Sequence, residues 1–225
     1  MAWGVCGMAM AAGACTGFLV RRWAGTYAAW LESGAAATAG TLWAAAAAAA
    51  GRPVCWAPDG ALALLLGGLA VGLVWSGTPG LVPLALGLAV LAGLDARSGL
   101  LPDALTLPLM VAGWGLGLQP AGAAVGASLA TWAALAGLAW LYRRLRGHDG
   151  FGGGDVKCLA ALAGWLGLDA AAGILWLACV LGVGLCLGRR DGWRRPYPFG
   201  PCMALAAWVW LLLPRGTWLA VQSWF

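Results

Sequence analysis

Charge is what this chain has least of. Lysine and arginine number 13 and aspartate and glutamate 8 among 225 residues, so 9% of the chain is charged while 62% is hydrophobic. Soluble domains carry roughly 25% charged residues. The shortfall excludes an ordinary soluble domain and indicates a polytopic membrane protein. The net charge of +5 does not argue for a nucleic-acid partner. The arginines fall in short clusters between apolar runs, the pattern of cytoplasmic loops in membrane proteins.

Other absences narrow the reading. The seven cysteines (Cys6, Cys15, Cys55, Cys158, Cys179, Cys186 and Cys202) form no C-x-x-C pair. That excludes a zinc site and a disulfide framework and leaves them as small apolar residues. No basic residue precedes the apolar stretch 1–20, which ends at Arg21-Arg22, and Cys15 has no leucine or valine at the lipobox place. The stretch therefore reads as a retained transmembrane helix with its N-terminus outside, not as a cleaved signal peptide. No internal repeat is present. The 37 glycines serve mostly to let helices approach closely.

What is there is a succession of apolar segments, at about 2–20, 61–76, 80–96, 104–118, 121–142, 156–168, 171–188 and 200–213. Breaks fall at Thr78-Pro79-Gly80, Gln119-Pro120 and Gly167-Leu168-Asp169, and the last segment can run on past Pro214. The fold class expected is an all-α polytopic membrane bundle of about eight transmembrane helices. Eight crossings from an outside N-terminus put every basic residue except Arg215 on the inner side, 12 of 13, as the positive-inside rule requires. Residues 21–60 form the first inner region. It contains an alanine-rich helix near 34–50 that reads as lying on the membrane surface or packed on other helices, since alanine favours helix but inserts weakly.

This topology brings two acids to one face. Asp95 ends the third segment and Asp155 starts the sixth, both at the inner side. A carboxylate at membrane depth is costly and is a functional candidate by default. Taken alone, Asp95 reads equally as an interfacial charge paired with Arg97, and Asp103, after Pro102, as a cap or first-turn acid of the next helix. Around Asp155 the chain reads Gly147-His148-Asp149-Gly150-Phe151-Gly152-Gly153-Gly154-Asp155-Val156-Lys157. Glycines ahead of a helix allow special backbone geometry. A phosphate loop is excluded, because the G-x-x-x-x-G-K-[ST] pattern is missing and an acid at the helix start repels phosphate. The lone His148 reads as a solvated loop residue. Two carboxylates held close cannot both ionise cheaply, so one keeps a proton while the other acts as base toward water.

Three pieces of the chain resemble the type IV prepilin peptidases, bacterial members of the GxGD membrane aspartic proteases. Asp95 with Leu101-Pro102-Asp103 and Leu105-Thr106-Leu107-Pro108 is similar to the family's first aspartate region. Gly152-Gly153-Gly154-Asp155-Val156-Lys157 matches G-x-G-D-x-K, and Pro198-Phe199-Gly200-Pro201 resembles the family's P-F-G-P element. The resemblance covers about residues 61–213. It implies a membrane aspartic peptidase domain over 61–225, preceded by a first transmembrane helix at 1–20 and a reduced cytoplasmic segment at 21–60. It implies Asp95 and Asp155 as the catalytic pair, Gly152 and Gly154 shaping the loop, and Lys157, Pro198, Phe199 and Gly200 beside the site.

The activity implied is removal of the short basic leader of prepilins or pseudopilins, after glycine, at the cytoplasmic face of a bacterial inner membrane. It would serve type IV pilus or type II secretion assembly. The implied partners are those membrane-embedded substrates and the bilayer. No cofactor is expected for peptide cleavage, and no zinc, because 21–60 lacks the two C-x-x-C pairs of bifunctional members. S-adenosylmethionine-dependent methylation is left open. The rival readings from the residues are a transporter with carboxylates lining a polar path and a non-catalytic scaffold of a secretion machine. Both acids at one face weigh against the first, and retention of both weighs against the second.

Overall fold

The computed structural model describes residues 2–34, 38–50, 56–148, 150, 152–188 and 197–213. Among them are nine α-helices and no strand: α1 (Ala2–Glu32), α2 (Ala39–Ala50), α3 (Trp56–Trp75), α4 (Val82–Ser98), α5 (Asp103–Leu116), α6 (Ala121–Arg146), α7 (Gly153–Leu166), α8 (Leu168–Gly188) and α9 (Gly200–Leu212). The stretches Pro79–Ser98, Ala121–Arg146 and Leu168–Gly188 are long and apolar enough to cross a membrane. Leu64–Trp75, Asp103–Leu116 and Gly200–Leu212 are shorter apolar helices. The chain is a multi-pass, all-helical membrane protein.

Several boundaries differ from the sequence expectation. The first helix does not stop near residue 20 but runs through Arg21-Arg22 to Glu32. No proline interrupts it, and Ala24 and Tyr27 bury against Leu42 and Ala45 of α2 and Leu94 of α4. A charge cluster marks where a membrane ends, not where a helix ends. The boundary drawn between 1–20 and 21–60 therefore falls inside one helix. The alanine-rich helix occupies Ala39–Ala50 and packs on α1, with Trp23 Nε1 donating to the Leu42 carbonyl at 2.9 Å and Trp23 stacked on Trp43. α6 passes through Arg143 and Arg144 and ends at Gly147, whose φ of 75° suits glycine. Of the basic residues in the charge argument, Arg52, Arg189, Arg190, Arg194, Arg195 and Arg215 lie outside the described residues, as do Cys55, Asp149, Phe151 and the chain past Pro214.

Lipid removes the hydrophobic drive between helices, so close packing must hold them. Gly13 of α1 lies against the Leu66 carbonyl of α3, where an added Cβ would sit 2.5 Å away. Gly113 of α5 faces the Trp165 ring of α7, with a Cβ 2.6 Å from its Cδ1, and Gly173 of α8 faces Trp210 of α9 at 2.6 Å. Trp165, fully buried, donates its indole N–H to the Leu109 carbonyl at 2.7 Å. The residues of α7 from Cys158 to Leu166 are all buried. A helix apolar on every side belongs at the centre of a bundle. Around it α5, α6 and α8 are packed, with α9 lying against α4 and α8, and the outer faces expose Leu129, Leu138 and Trp140 on α6 and Trp176 and Leu187 on α8. Cys158, Cys186 and Cys202 are buried as expected, whereas Cys15 and Cys179 are exposed.

Candidate active site

Asp95 sits in the last turn of α4. The helix ends four residues later because Gly99 takes a left-handed φ of 64° and its N–H caps the Asp95 carbonyl at 2.8 Å. The Asp95 side chain is buried, 5% exposed. It does not pair with Arg97. Its Oδ2 accepts the backbone N–H of Gly200 at 2.7 Å, while the Arg97 guanidinium extends toward Gly25 of α1.

Gly200 is the first residue of α9 and has a free N–H because the helix supplies no carbonyl for it. A Cβ on Gly200 would stand 2.8 Å from Asp95 Oδ2 and 2.9 Å from Asp95 Cβ. Only glycine allows this approach. Phe199 caps α9 and is half-buried like Pro198 before it. Phe199 lies against Gly182 of α8. Tyr197 is pinned nearby, its hydroxyl 2.9 Å from Cys202 Sγ.

Asp155 lies in the first turn of α7, ahead of the apolar stretch 156–168. Here the structure corrects the sequence reading: the glycine run is not a loop before the helix. Gly152 is the N-cap, and Gly153 and Gly154 are already helical. A Gly154 Cβ would meet Leu101 Cβ at 2.8 Å, and a Gly152 Cβ would meet Asp155 Oδ2 at 2.7 Å, while Gly153 faces nothing within 4 Å. Gly154 is thus required by close approach, while a side chain at Gly152 would displace the Asp155 carboxylate.

The Asp155 carboxyl is raised from 3.8 to about 7, first by burial, then by the negative charge of Asp95, against a backbone hydrogen bond from Gly152 that lowers it. The charge of one aspartate therefore acts on the other, and the start of α9 is bonded to Asp95. An open groove of about 360 Å³ borders this end of α7, lined by Trp132, Arg143, Gly152, Gly153, Val156 and Lys157 among others.

Residues 82–187 match the type IV leader peptidase family. The match spans α4 to α8 and includes Asp95, Asp155 and Lys157, and it bears out the resemblance read from the sequence. The chain is 40% identical over 136 residues to the prepilin leader peptidase/N-methyltransferase of Aeromonas salmonicida, covering 56% of this chain and 46% of that protein. It is 39% identical over 168 residues to the protein of that name in Burkholderia pseudomallei (67% and 54%). To the one in Neisseria gonorrhoeae it is 32% identical over 171 residues (71% and 59%). The chain thus spans about half the length of these relatives. No solved structure matches it.

Not every residue singled out in the sequence faces the aspartates. Lys157 does not. Its Nζ lies 2.7 Å from both carboxylate oxygens of Asp103. Asp103, read as a cap or first-turn acid, is the first residue of α5 but makes no capping bond. The i, i+2 spacing of Asp155 and Lys157 carried the signal, since such residues point to different sides of a helix. The partner, 54 residues away, carried none. His148 is exposed and sits edge-on to Tyr142. Among the described residues no group of three or more His, Cys, Asp or Glu side chains is arranged to hold a metal ion.

Proposed function

We propose that this protein is a membrane aspartic endopeptidase that removes the short basic leader of prepilins or pseudopilins, cutting after glycine at the cytoplasmic face of a bacterial inner membrane. The observation that carries the reading is the buried Asp95, bonded to the start of α9, whose charge reaches Asp155 at the start of α7, in a chain matched across both acids to the type IV leader peptidase family. The proposed topology has eight spans with the N-terminus outside, which places both acids at the inner face beside the leader.

The chemistry needs only the pair and one water. The ionised carboxylate takes a proton from water as its oxygen attacks the scissile carbonyl carbon. The protonated partner donates to the carbonyl oxygen, giving a tetrahedral gem-diol. The proton gained by the base then passes to the leaving amine as the C–N bond breaks, while a gem-diol hydroxyl returns its proton to the partner aspartate and the new carboxyl group forms. The pair titrates as a unit, so base and acid are roles of the pair rather than of fixed residues. Gly152, Gly154 and Gly200 permit the approach of the elements that hold the acids, with Pro198 and Phe199 leading into α9. Zinc plays no part in this reaction. The relatives carry N-methyltransferase in their names, and methylation by this chain from S-adenosylmethionine is decided by product mass.

The test is cleavage of a prepilin in membranes holding wild-type protein, Asp95→Ala or Asp155→Ala, with S-adenosylmethionine supplied. The reading requires cleavage by wild type and none by either variant. Cleavage by a variant overturns the paired mechanism.

A further inference from the structure

We infer that Asp103 and Lys157 form a latch that positions Asp155 against Asp95, with Lys157 acting through the start of α7 rather than on substrate. The inference rests on the peptidase reading for its catalytic consequence, though not for its geometry.

The ion pair joins two segments that carry the acids. Asp103 opens α5, with only the four residues 99–102 between it and the end of α4 at Ser98, so it is mechanically continuous with the helix end that bears Asp95. Lys157 lies two residues beyond Asp155 in α7. Its ammonium is chelated, 2.7 Å to each Asp103 oxygen. A second contact joins the same two segments, since Gly154 packs on Leu101, where a Cβ would come within 2.8 Å of the leucine Cβ. Asp155 therefore sits between two attachments, Gly154 on one side in sequence and Lys157 on the other.

The first turn of α7 needs such attachment. Gly152, Gly153 and Gly154 follow one another there, and glycine gives a helix little stiffness of its own. The groups of the pair are 34% and 54% exposed, and surface ion pairs add little to stability. A bidentate bond between helices at this place has more to contribute in geometry than in folding. A displacement of about 1 Å at a reacting group costs on the order of a hundredfold in rate.

The experiment compares Asp103→Asn, Lys157→Met, Lys157→Arg and the double variant Asp103→Asn/Lys157→Met, each full-length in membranes or nanodiscs. Two readouts are taken: kcat and KM on a prepilin, and hydrogen exchange of the amides at 153–158. The latch predicts that each neutral variant loses about 10- to 100-fold in kcat with KM within about twofold. The double variant is then no worse than the poorer single one, and Lys157→Arg, which keeps the bidentate bond, retains most activity. Exchange at the start of α7 rises in both neutral variants. A Lys157→Met variant that raises KM at constant kcat, losses that multiply in the double variant, or exchange that does not change would overturn the latch. If wild type cleaves no prepilin, the peptidase reading fails, and exchange alone still decides the latch.

Discussion

The backbone N–H of Gly200 donates a 2.7 Å hydrogen bond to Oδ2 of Asp95 across 105 residues of sequence. It puts the positive end of the 13-residue helix α9 against an acid buried at the end of α4. A helix N-terminus favours a negative charge there. The P-F-G-P element thus has a physical reason: a glycine whose free N–H and missing side chain both serve Asp95.

Gly200→Ala is expected to lower kcat by at least about tenfold, since the new Cβ would stand 2.9 Å from Asp95 Cβ, which is no flexible chain end, and small displacements at reacting groups are costly. Helix content by circular dichroism should not change. Wild-type turnover by Gly200→Ala would show that the contact is not needed.

The three glycines before Asp155 should behave unequally. Gly154→Ala meets Leu101 and should lose activity, whereas Gly153→Ala faces open space and should keep it within about twofold while stabilising the helix slightly, by up to about 1 kcal/mol. Prepilin cleavage rates of the two variants side by side check this. Equal losses would contradict the steric account.

The pH dependence follows from Asp155, raised to about 7 by burial and the Asp95 charge. Cleavage needs one proton on the pair, so the rate should fall on the alkaline side as that proton leaves near pH 7. The sign for stability is the same. In the unfolded chain the group ionises near 3.8 and in the folded protein near 7, so between these values the folded state holds the extra proton. Stability is full below the lower value and declines as pH rises through the window. Asp155→Asn removes its share of that decline. Melting temperatures at pH 5 and pH 8 should differ by less in the variant than in wild type, the buried carboxyl of Asp95 supplying the remainder.

Trp165→Phe should cost about 1 kcal/mol through loss of the buried bond from the indole N–H to the Leu109 carbonyl. Gly113→Val should cost about 1–3 kcal/mol by driving a side chain into the Trp165 ring. Thermal unfolding in detergent reads both. Unchanged stability of Gly113→Val would mean that α5 and α7 can separate freely.

Much of the site was legible because scarce charge makes each carboxylate conspicuous, and because the glycine and proline motifs around Asp95 and Asp155 are dense. The all-helical class followed from composition. What could not be read was tertiary. Arg21-Arg22 looked like the end of a helix, but Ala24 and Tyr27 continue it against α2 and α4. Gly153 and Gly154 looked like loop ahead of the helix, but both are helical, Gly154 packing on Leu101. The family resemblance puts Lys157 beside the site; its ammonium bonds Asp103, a partner 54 residues away.

The central claim is that Asp95 and Asp155 together cut a prepilin. The most direct test is the mass of a prepilin after incubation with membranes holding wild type, Asp95→Ala or Asp155→Ala. The account predicts loss of the leader mass with wild type and intact substrate with either variant. Leader loss that persists without one of the two aspartates would contradict it.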